Sequence, residues 1–214
     1  MTARRPRVKI CGITRQSDAA LAVASGADAI GFIFWPRSPR AIDPAAAGEI
    51  QASLPPFVTR VGVFVDASPD DVATVVRVAG LDVVQLHGDE PASAYVDVGA
   101  RLMKVSTLSG ADAVERVAEW PATVMPIIDA SDPERRGGTG RTADWTQAAR
   151  LSRLRPIVLA GGLTAATVAA AIAAVRPWAI DVSSGVEEAP GIKSPTRMRE
   201  FFAALAAATE REEV

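Results

Sequence analysis

The sequence predicts an α/β fold, a single-domain (β/α)8 TIM barrel that spans residues 1–214. Eight short apolar runs rich in β-branched residues recur at intervals of about 25 residues, the spacing of a strand, a helix and two loops. The runs are almost continuously apolar, which is typical of parallel strands buried on both faces. Alanine-rich segments with helix start and stop signals lie between them.

The predicted strands follow one another at even intervals. They begin near residues 7, 29, 60, 83, 102, 124, 156 and 179, and read RVKICGI, AIGFIF, RVGVFV, VVQLHG, LMKVST, VMPIIDA, PIVLAGG and AIDVSSG. A helix is predicted after each strand, over 17–26, 44–54, 68–80, 92–99, 111–120, 143–154, 164–175 and 194–209. Several of these segments begin with Ser, Thr or Asp, and several end near Gly or Pro, as helix caps do.

Chain length favours one barrel with little room for a second domain, because about 200 residues is the lower limit for this fold. We expect 1–6 and 210–214 to be flexible ends. The alternative is an open, doubly wound parallel sheet, which normally has its ligand-binding glycines after the first strand. Here the glycines gather after strands six, seven and eight, which favours the barrel.

Composition excludes several classes of function. The 23 basic and 25 acidic residues give a net charge of -2, so we expect neither a nucleic-acid nor a membrane partner. No apolar stretch reaches the roughly 18 residues of a membrane span. One Cys and one His cannot form a disulfide framework or a multi-His metal site, so no metal is expected. The chain is therefore predicted to be soluble and cytoplasmic, with a reduced thiol.

Polar residues collect where the predicted strands end. In this fold the active site lies at the carboxyl ends of the strands, so these residues are the candidates for chemistry. In chain order they are Lys9, Cys11, Arg37, Arg40, Asp66, Gln85, His87, Lys104, Asp129, Asp181, Ser183, Ser184 and Gly185. Asp66 in DASPDD is interpreted as a helix-approach or capping residue.

The loops after strands seven and eight are predicted to bind phosphate. Gly161 and Gly162 let an anion approach the backbone, and the turn at Ser183, Ser184 and Gly185 adds N–H and hydroxyl donors. These two loops are also the recurrent phosphate site of the fold. Taken singly, the glycines are equally consistent with ordinary tight turns.

The segment RRGGTGRTADW, which contains Gly140, follows the sixth strand. It lacks the GxxxxGK[ST] spacing of a P-loop and the position of a Rossmann turn. A lid that closes over a substrate fits its place, and a flexible surface connection is the alternative.

Cys11 and Asp129 are the candidate pair for acid–base catalysis. Alternation turns Cys11 and Lys9 into the barrel, although a lone buried Cys is more often a small hydrophobic residue. Asp129 ends an apolar strand three steps around the ring, so the two groups would face each other across a small substrate. Arg40 is expected either to fork onto a substrate carboxylate or to be a solvated loop charge. His87 either touches substrate or supports a residue that does.

The chain resembles the phosphoribosylanthranilate isomerase family of tryptophan biosynthesis. The motifs that carry the resemblance are KICGIT, GADAIGFIFWPRSPR, VGVFV, VQLHGDE, IIDA, GGTGRTADW, LAGGL and DVSSGVE with PGIKS, in this order over nearly the whole chain. Only the MTARRPR start and the acidic tail fall outside the pattern.

The resemblance implies the Amadori rearrangement of N-(5-phosphoribosyl)anthranilate to 1-(2-carboxyphenylamino)-1-deoxyribulose 5-phosphate, with no cofactor. It implies that Cys11 is the general base and Asp129 the general acid. It also implies that Arg40 holds the anthranilate carboxylate and that the loops after strands seven and eight hold the phosphate. We expect a monomer or a homodimer.

This chemistry sets requirements on two pKa values. Asp129 must be protonated to open the ribose ring, which needs a pKa above about 3.9, and Cys11 must lose its proton, which needs a pKa below about 8.5. A broader aminoaldose isomerase stays open as an alternative. A phosphate-binding barrel without catalysis is the other alternative, and the presence of both Cys11 and Asp129 argues against it. A metal-dependent sugar-phosphate epimerase is disfavoured by the single His.

Overall fold

The computed structural model describes residues 5–129 and 145–210, with the side chain of residue 210 left out. Eight parallel strands close into a barrel in chain order, from the first strand to the eighth and back to the first. The predicted (β/α)8 barrel is therefore confirmed. No helix within the described ranges is both long enough and apolar enough to cross a membrane.

The observed barrel strands begin within two residues of their predicted starts. They are β1 Arg7–Cys11, β2 Ala29–Ile33, β3 Thr59–Phe64, β4 Val83–Leu86, β5 Arg101–Ser106, β6 Val124–Asp129, β7 Val158–Ala160 and β8 Ala179–Val182. An antiparallel hairpin that was not predicted, β9 Glu187–Ala189 and β10 Ile192–Lys193, follows β8.

Seven α-helices are found in the described ranges. They are α1 Gln16–Ser25, α2 Pro44–Ala52, α3 Pro69–Ala79, α4 Ala113–Ala118, α5 Thr146–Ser152, α6 Val168–Val175 and α7 Pro195–Glu210. Asp43 caps α2 by accepting from the N–H groups of Ala45 and Ala46, and Pro44 occupies the first turn, where its missing N–H costs nothing.

The predicted helix over 92–99, after β4, is wrong. Only a short 3₁₀ helix forms there, Ala92–Tyr95. The β-branched Val96 and Val98 favour helix weakly, and Gly99, at φ 81°, ends the segment. Tyr95 is buried and donates to the carbonyl of Ala67, so side-chain packing replaces the missing helix.

Asp66, interpreted as a helix-approach or capping residue, does precede α3, but the capping role is wrong. Ser68 caps α3, because its Oγ accepts from the N–H of Asp71. Asp66 itself lies in the left-handed region at φ 51° and links two loops. Its N–H donates to Glu90 Oε1, and its Oδ1 accepts from the N–H of Asp89.

The barrel strands separate two apolar layers. Their outward side chains pack with the helices in the main core, and the inward ones form a smaller cluster around Ile127, Val158 and Ala179. Met103, Val105, Met125 and Ala160 complete this inner cluster. Alternation along β1 and β6 then directs Lys9, Cys11 and Asp129 into the barrel.

Candidate active site

Cys11 lies at the carboxyl end of β1, 7% exposed, and its register partner on β2 is Gly31. A Cβ on Gly31 would come within 3.0 Å of Cys11 Sγ and also within 3.0 Å of Lys9 Cε. Real Cβ atoms rarely approach so closely, so the absence of a side chain at residue 31 makes room for the thiol and the lysine together.

A buried ion pair lies directly below the thiol. Lys9 and Asp181 are register partners on β1 and β8, and Lys9 Nζ lies 2.9 and 3.0 Å from the two oxygens of Asp181. Burial acts to lower the pKa of Lys9, but Asp181 and Cys11 raise it further than burial lowers it. Lys9 is therefore a stable cation next to Cys11.

The surroundings of Cys11 raise the pKa of its thiol. Burial raises it above the ordinary value, and the charge of Asp181 adds to that rise. Lys9 and Lys193 act in the opposite direction without cancelling the effect of burial. Desolvation of the thiolate therefore outweighs the two lysines, and these groups alone do not supply the lower pKa that proton removal by Cys11 requires.

Asp129 is the last residue of β6 and is half-buried, with Ala160 as its partner on β7. In the closed barrel β6 is three steps from β1. The side chain shares the inward face of Ile127, so the carboxyl belongs to the same mouth as Cys11.

The predicted phosphate loops lie side by side after β7 and β8. Gly161 and Gly162 have φ angles of 91° and 64°, a region that favours glycine. A Cβ on Gly185 would lie 1.9 Å from the carbonyl oxygen of Leu163, so the loops touch backbone to backbone. Ser184 begins a short 3₁₀ helix, and the buried Ser183 Oγ has no hydrogen-bond partner among the described residues.

Arg40 is half-buried and paired, and the alternative of a solvated loop charge is wrong. Its Nε lies 2.9 and 3.1 Å from the two oxygens of Glu187, and its Nη2 lies 2.6 Å from Glu187 Oε2. The Nη1 atom of Arg40 takes no part in these contacts with Glu187. Arg40 also covers Gly12, where a Cβ would lie 2.7 Å from Arg40 Cδ.

The remaining candidates differ in their surroundings. His87 is exposed, and its main-chain N–H donates to the carbonyl of Phe64. Gln85 is buried in β4, and its Oε1 has no partner within the described ranges. Lys104 donates to the carbonyl of Gly88, and its Nζ also lies 4.0 Å from Glu90 Oε2. Arg37 is exposed. Gly140 lies outside the described residues, as does most of its loop.

Sequence reasoning missed Glu187 and Lys193. Both are buried, and Lys193 Nζ lies 2.8 Å from Glu187 Oε1. The available signal was two charged residues flanking a Pro-Gly turn, which is typical of a hairpin. In the parts of the chain that the structure describes, no group of three or more His, Cys, Asp or Glu side chains is placed to hold a metal ion.

Fold and site together define a class, the (β/α)8 barrels whose reactive polar side chains and phosphate-type loops meet at the carboxyl ends of the strands. Residues 8–204 match the family model described as N-(5'phosphoribosyl)anthranilate (PRA) isomerase. The chain belongs to this family.

Individual relatives cover almost the whole chain. The N-(5'-phosphoribosyl)anthranilate isomerase of Geotalea uraniireducens is 46% identical over 196 residues, which are 92% of this chain and 96% of the relative. The crystal structure of the Thermotoga maritima phosphoribosyl anthranilate isomerase superposes with a TM-score of 0.86 at 41% identity, covering 94% of this chain and 99% of that one.

One similar structure contains a bound ligand. The structure of a phosphoribosyl anthranilate isomerase with reduced 1-(o-carboxyphenylamino)-1-deoxyribulose 5-phosphate matches with a TM-score of 0.83 and 38% identity, over 94% of this chain and 99% of that one.

Proposed function

We propose that this protein is an aldose–ketose isomerase of tryptophan biosynthesis, converting N-(5-phosphoribosyl)anthranilate to 1-(2-carboxyphenylamino)-1-deoxyribulose 5-phosphate. The observation that carries the proposal is an inward-facing thiol beside a buried lysine, at the mouth of a barrel whose family match spans 8–204. The relative with a bound carboxyphenylamino ribulose phosphate supports the substrate class, a phosphorylated aminosugar.

Asp129 acts first, as general acid. A proton delivered to the ribose ring oxygen breaks the bond between that oxygen and C1′, and the anilino nitrogen supplies the electron pair that forms an iminium. The position of Asp129 at the end of β6 supports this role, because the carboxyl is at the mouth without being fully buried.

Cys11 then removes the proton from C2′ as general base, which gives an enolamine. Tautomerisation returns a proton to C1′ and leaves the ketone at C2′. Because burial raises the pKa of the free thiol, the bound iminium and Lys9 must supply the positive charge that stabilises the thiolate. The iminium that forms after proton transfer from Asp129 thus stabilises the Cys11 thiolate, which then acts as the base.

The two ends of the substrate have separate anchors. Ser183 Oγ, which has no partner in the described part of the chain, suits the phosphate, as do the loops at Gly161 and Gly162 and at Ser184 and Gly185. Arg40 keeps Nη1 available for the anthranilate carboxylate while Glu187 holds the rest of the guanidinium. Asp181, fixed by Lys9, and His87 are proposed to contact the sugar portion. The proposed mechanism requires no cofactor.

The direct test is turnover of N-(5-phosphoribosyl)anthranilate by the purified protein, followed as loss of anthranilate-type fluorescence. We expect turnover with a chelator present and no added metal. No fluorescence loss with freshly generated substrate would contradict the proposal. Parallel assay of the histidine-pathway aminoaldose tests the broader isomerase, which is a second activity of the same acid and base.

We also propose a cytoplasmic homodimer. The described large apolar side chains with high exposure include Phe57, Val96 and Trp178, and all three line one cavity at the amino-terminal end of the barrel. A second copy of this chain would cover that end, and a Thermotoga maritima relative is described as dimeric. Light scattering should give twice the chain mass of 22.3 kDa, and a mass of one chain at micromolar concentration would contradict the dimer.

A further inference from the structure

We propose that Lys193 is a positioning residue of the active site, which with Glu187 joins the end of the strand that carries Cys11 to the loop that carries Arg40. The inference rests on the proposed function, since the roles of Cys11 and Arg40 come from it. Lys193 touches neither proposed reacting atom and acts through the groups that it holds.

The contacts of Lys193 account for all three ammonium protons. Its side chain is 0% exposed, and its Nζ lies 2.5 Å from the carbonyl oxygen of Cys11 and 2.8 Å from Glu187 Oε1. A longer contact of 3.5 Å reaches the carbonyl of Ser183. An ammonium has three donors and no acceptor, so every donor is committed.

These contacts extend the pairing of two barrel strands. The ladder between β1 and β8 ends at the pair Ile10 and Val182, one residue before Cys11 and Ser183. Lys193 bridges the carbonyls of those next residues, where the strands no longer pair. The base and the phosphate loop are therefore held together by one side chain.

Glu187 transmits the constraint to Arg40. The Glu187 carboxylate accepts hydrogen bonds from the Arg40 guanidinium and from the Lys193 ammonium. Its Oε1 also accepts from the N–H of Gly191 at 3.3 Å. Burial acts to raise the pKa of Glu187, but the bonds from Arg40 and Lys193 lower it below the ordinary value. Glu187 therefore stays ionised and fixes which nitrogen of Arg40 faces the mouth.

The hairpin that carries Lys193 is anchored to the first loop of the barrel and to the start of α1. Thr14 Oγ1 donates to the carbonyl of Gly191, and the N–H of Lys193 donates to Asp18 Oδ2 at 3.0 Å. A buried ion pair is by itself a weak source of stability, because desolvation offsets the attraction. Its location between the base and the carboxylate-binding arginine points to a role in the reaction.

Alkylation of Cys11 tests the inference independently of turnover. Cys11 is the only cysteine in the chain, so the rate of iodoacetamide modification against pH reports the pKa of this thiol alone. In Lys193→Met we expect the midpoint to move upward by about half a unit or more, because a nearby positive charge is lost. The midpoint does not depend on how easily the reagent reaches the site.

Arg155→Met is the matched control. Arg155 also donates to main-chain carbonyls, those of Trp120 before β6 and of Val124 at its start, at the opposite end of the barrel strands from Cys11. We expect this variant to lower the melting temperature and to leave the thiol midpoint unchanged. An equal midpoint shift in both variants would mean that Lys193 acts only through stability.

Turnover gives a second readout. We expect Lys193→Met to lower kcat about tenfold and Glu187→Gln mainly to raise KM about tenfold, since the second change releases Arg40. A folded Lys193→Met protein with wild-type thiol midpoint and kcat would overturn the inference. If Lys193→Met does not fold, an unchanged KM in Glu187→Gln would overturn it. If the wild type lacks isomerase activity, the alkylation midpoints still decide the link between Lys193 and Cys11.

Discussion

The two ends of the barrel differ in how they use charge. At the carboxyl end, Lys9 pairs with Asp181, and Lys193 shares Glu187 with Arg40, all in buried or half-buried surroundings. At the amino-terminal end, a cavity of about 840 Å³ is lined mainly by apolar side chains, and Phe57 at its rim is 95% exposed. Buried charges cost free energy unless they are paired, so their concentration at one end marks where the chemistry is done.

An apolar layer separates the two ends. Ile127, Val158 and Ala179 pack between them, together with Met103 and Met125, and the amino-terminal cavity reaches this layer and Lys9. Such a packed interior is expected for an eight-stranded barrel, which is too narrow for a channel. Changes at the carboxyl end should therefore affect turnover, whereas changes at the exposed rim of the amino-terminal cavity, away from Lys9, should not.

The strongest test of the difference is removal of the acid or the base. Cys11→Ala and Asp129→Asn should each lower kcat by about 10² or more, because each deletes one proton transfer. Steady-state kinetics with the anthranilate substrate measures the loss, and circular dichroism confirms that the barrel persists. Near-native turnover in a folded variant would assign that proton transfer to another residue.

A smaller effect is expected from disturbing the predicted phosphate loops. Gly185→Ala would place a Cβ 1.9 Å from the carbonyl oxygen of Leu163, so the loops after β7 and β8 must separate. We expect KM to rise at least about tenfold, because the backbone N–H groups of these loops no longer point toward the phosphate.

Gly99→Ala is the control for backbone strain alone. Gly99 has φ 81° and open space around its Cβ position, so alanine should cost about 1 kcal/mol of stability with KM unchanged. A similar rise in KM in both variants would show that general destabilisation, and not the phosphate loop, is responsible.

The smallest effect on turnover is expected at the opposite end. Phe57→Ser and Trp178→Ser should weaken the proposed dimer, seen as a lower molar mass by light scattering, while kcat per chain stays within about twofold. A loss of kcat comparable to that of Cys11→Ala would contradict the independence of the two ends.

Local sequence signals predicted most of the barrel. Strand starts were correct to within two residues, because apolar runs and turn residues are read over short distances. The prediction of a helix at 92–99 failed where side-chain packing of Tyr95 replaced regular helix. The hairpin at 187–193 was missed because its strands are very short and its partners, Thr14 and Asp18, are far away in the chain.

The sequence by itself determined the barrel, the strand ends that carry Cys11 and Asp129, the loop that carries Arg40, and the resemblance to a family, because periodicity and motifs are local properties. Only the tertiary structure decided which charges meet. Arg40 and Glu187 are 147 residues apart, and Lys193 reaches the carbonyl of Cys11 across 182 residues. Whether a charge is solvated or paired, and in which direction a pKa moves, depends on burial and on neighbours brought together by barrel closure.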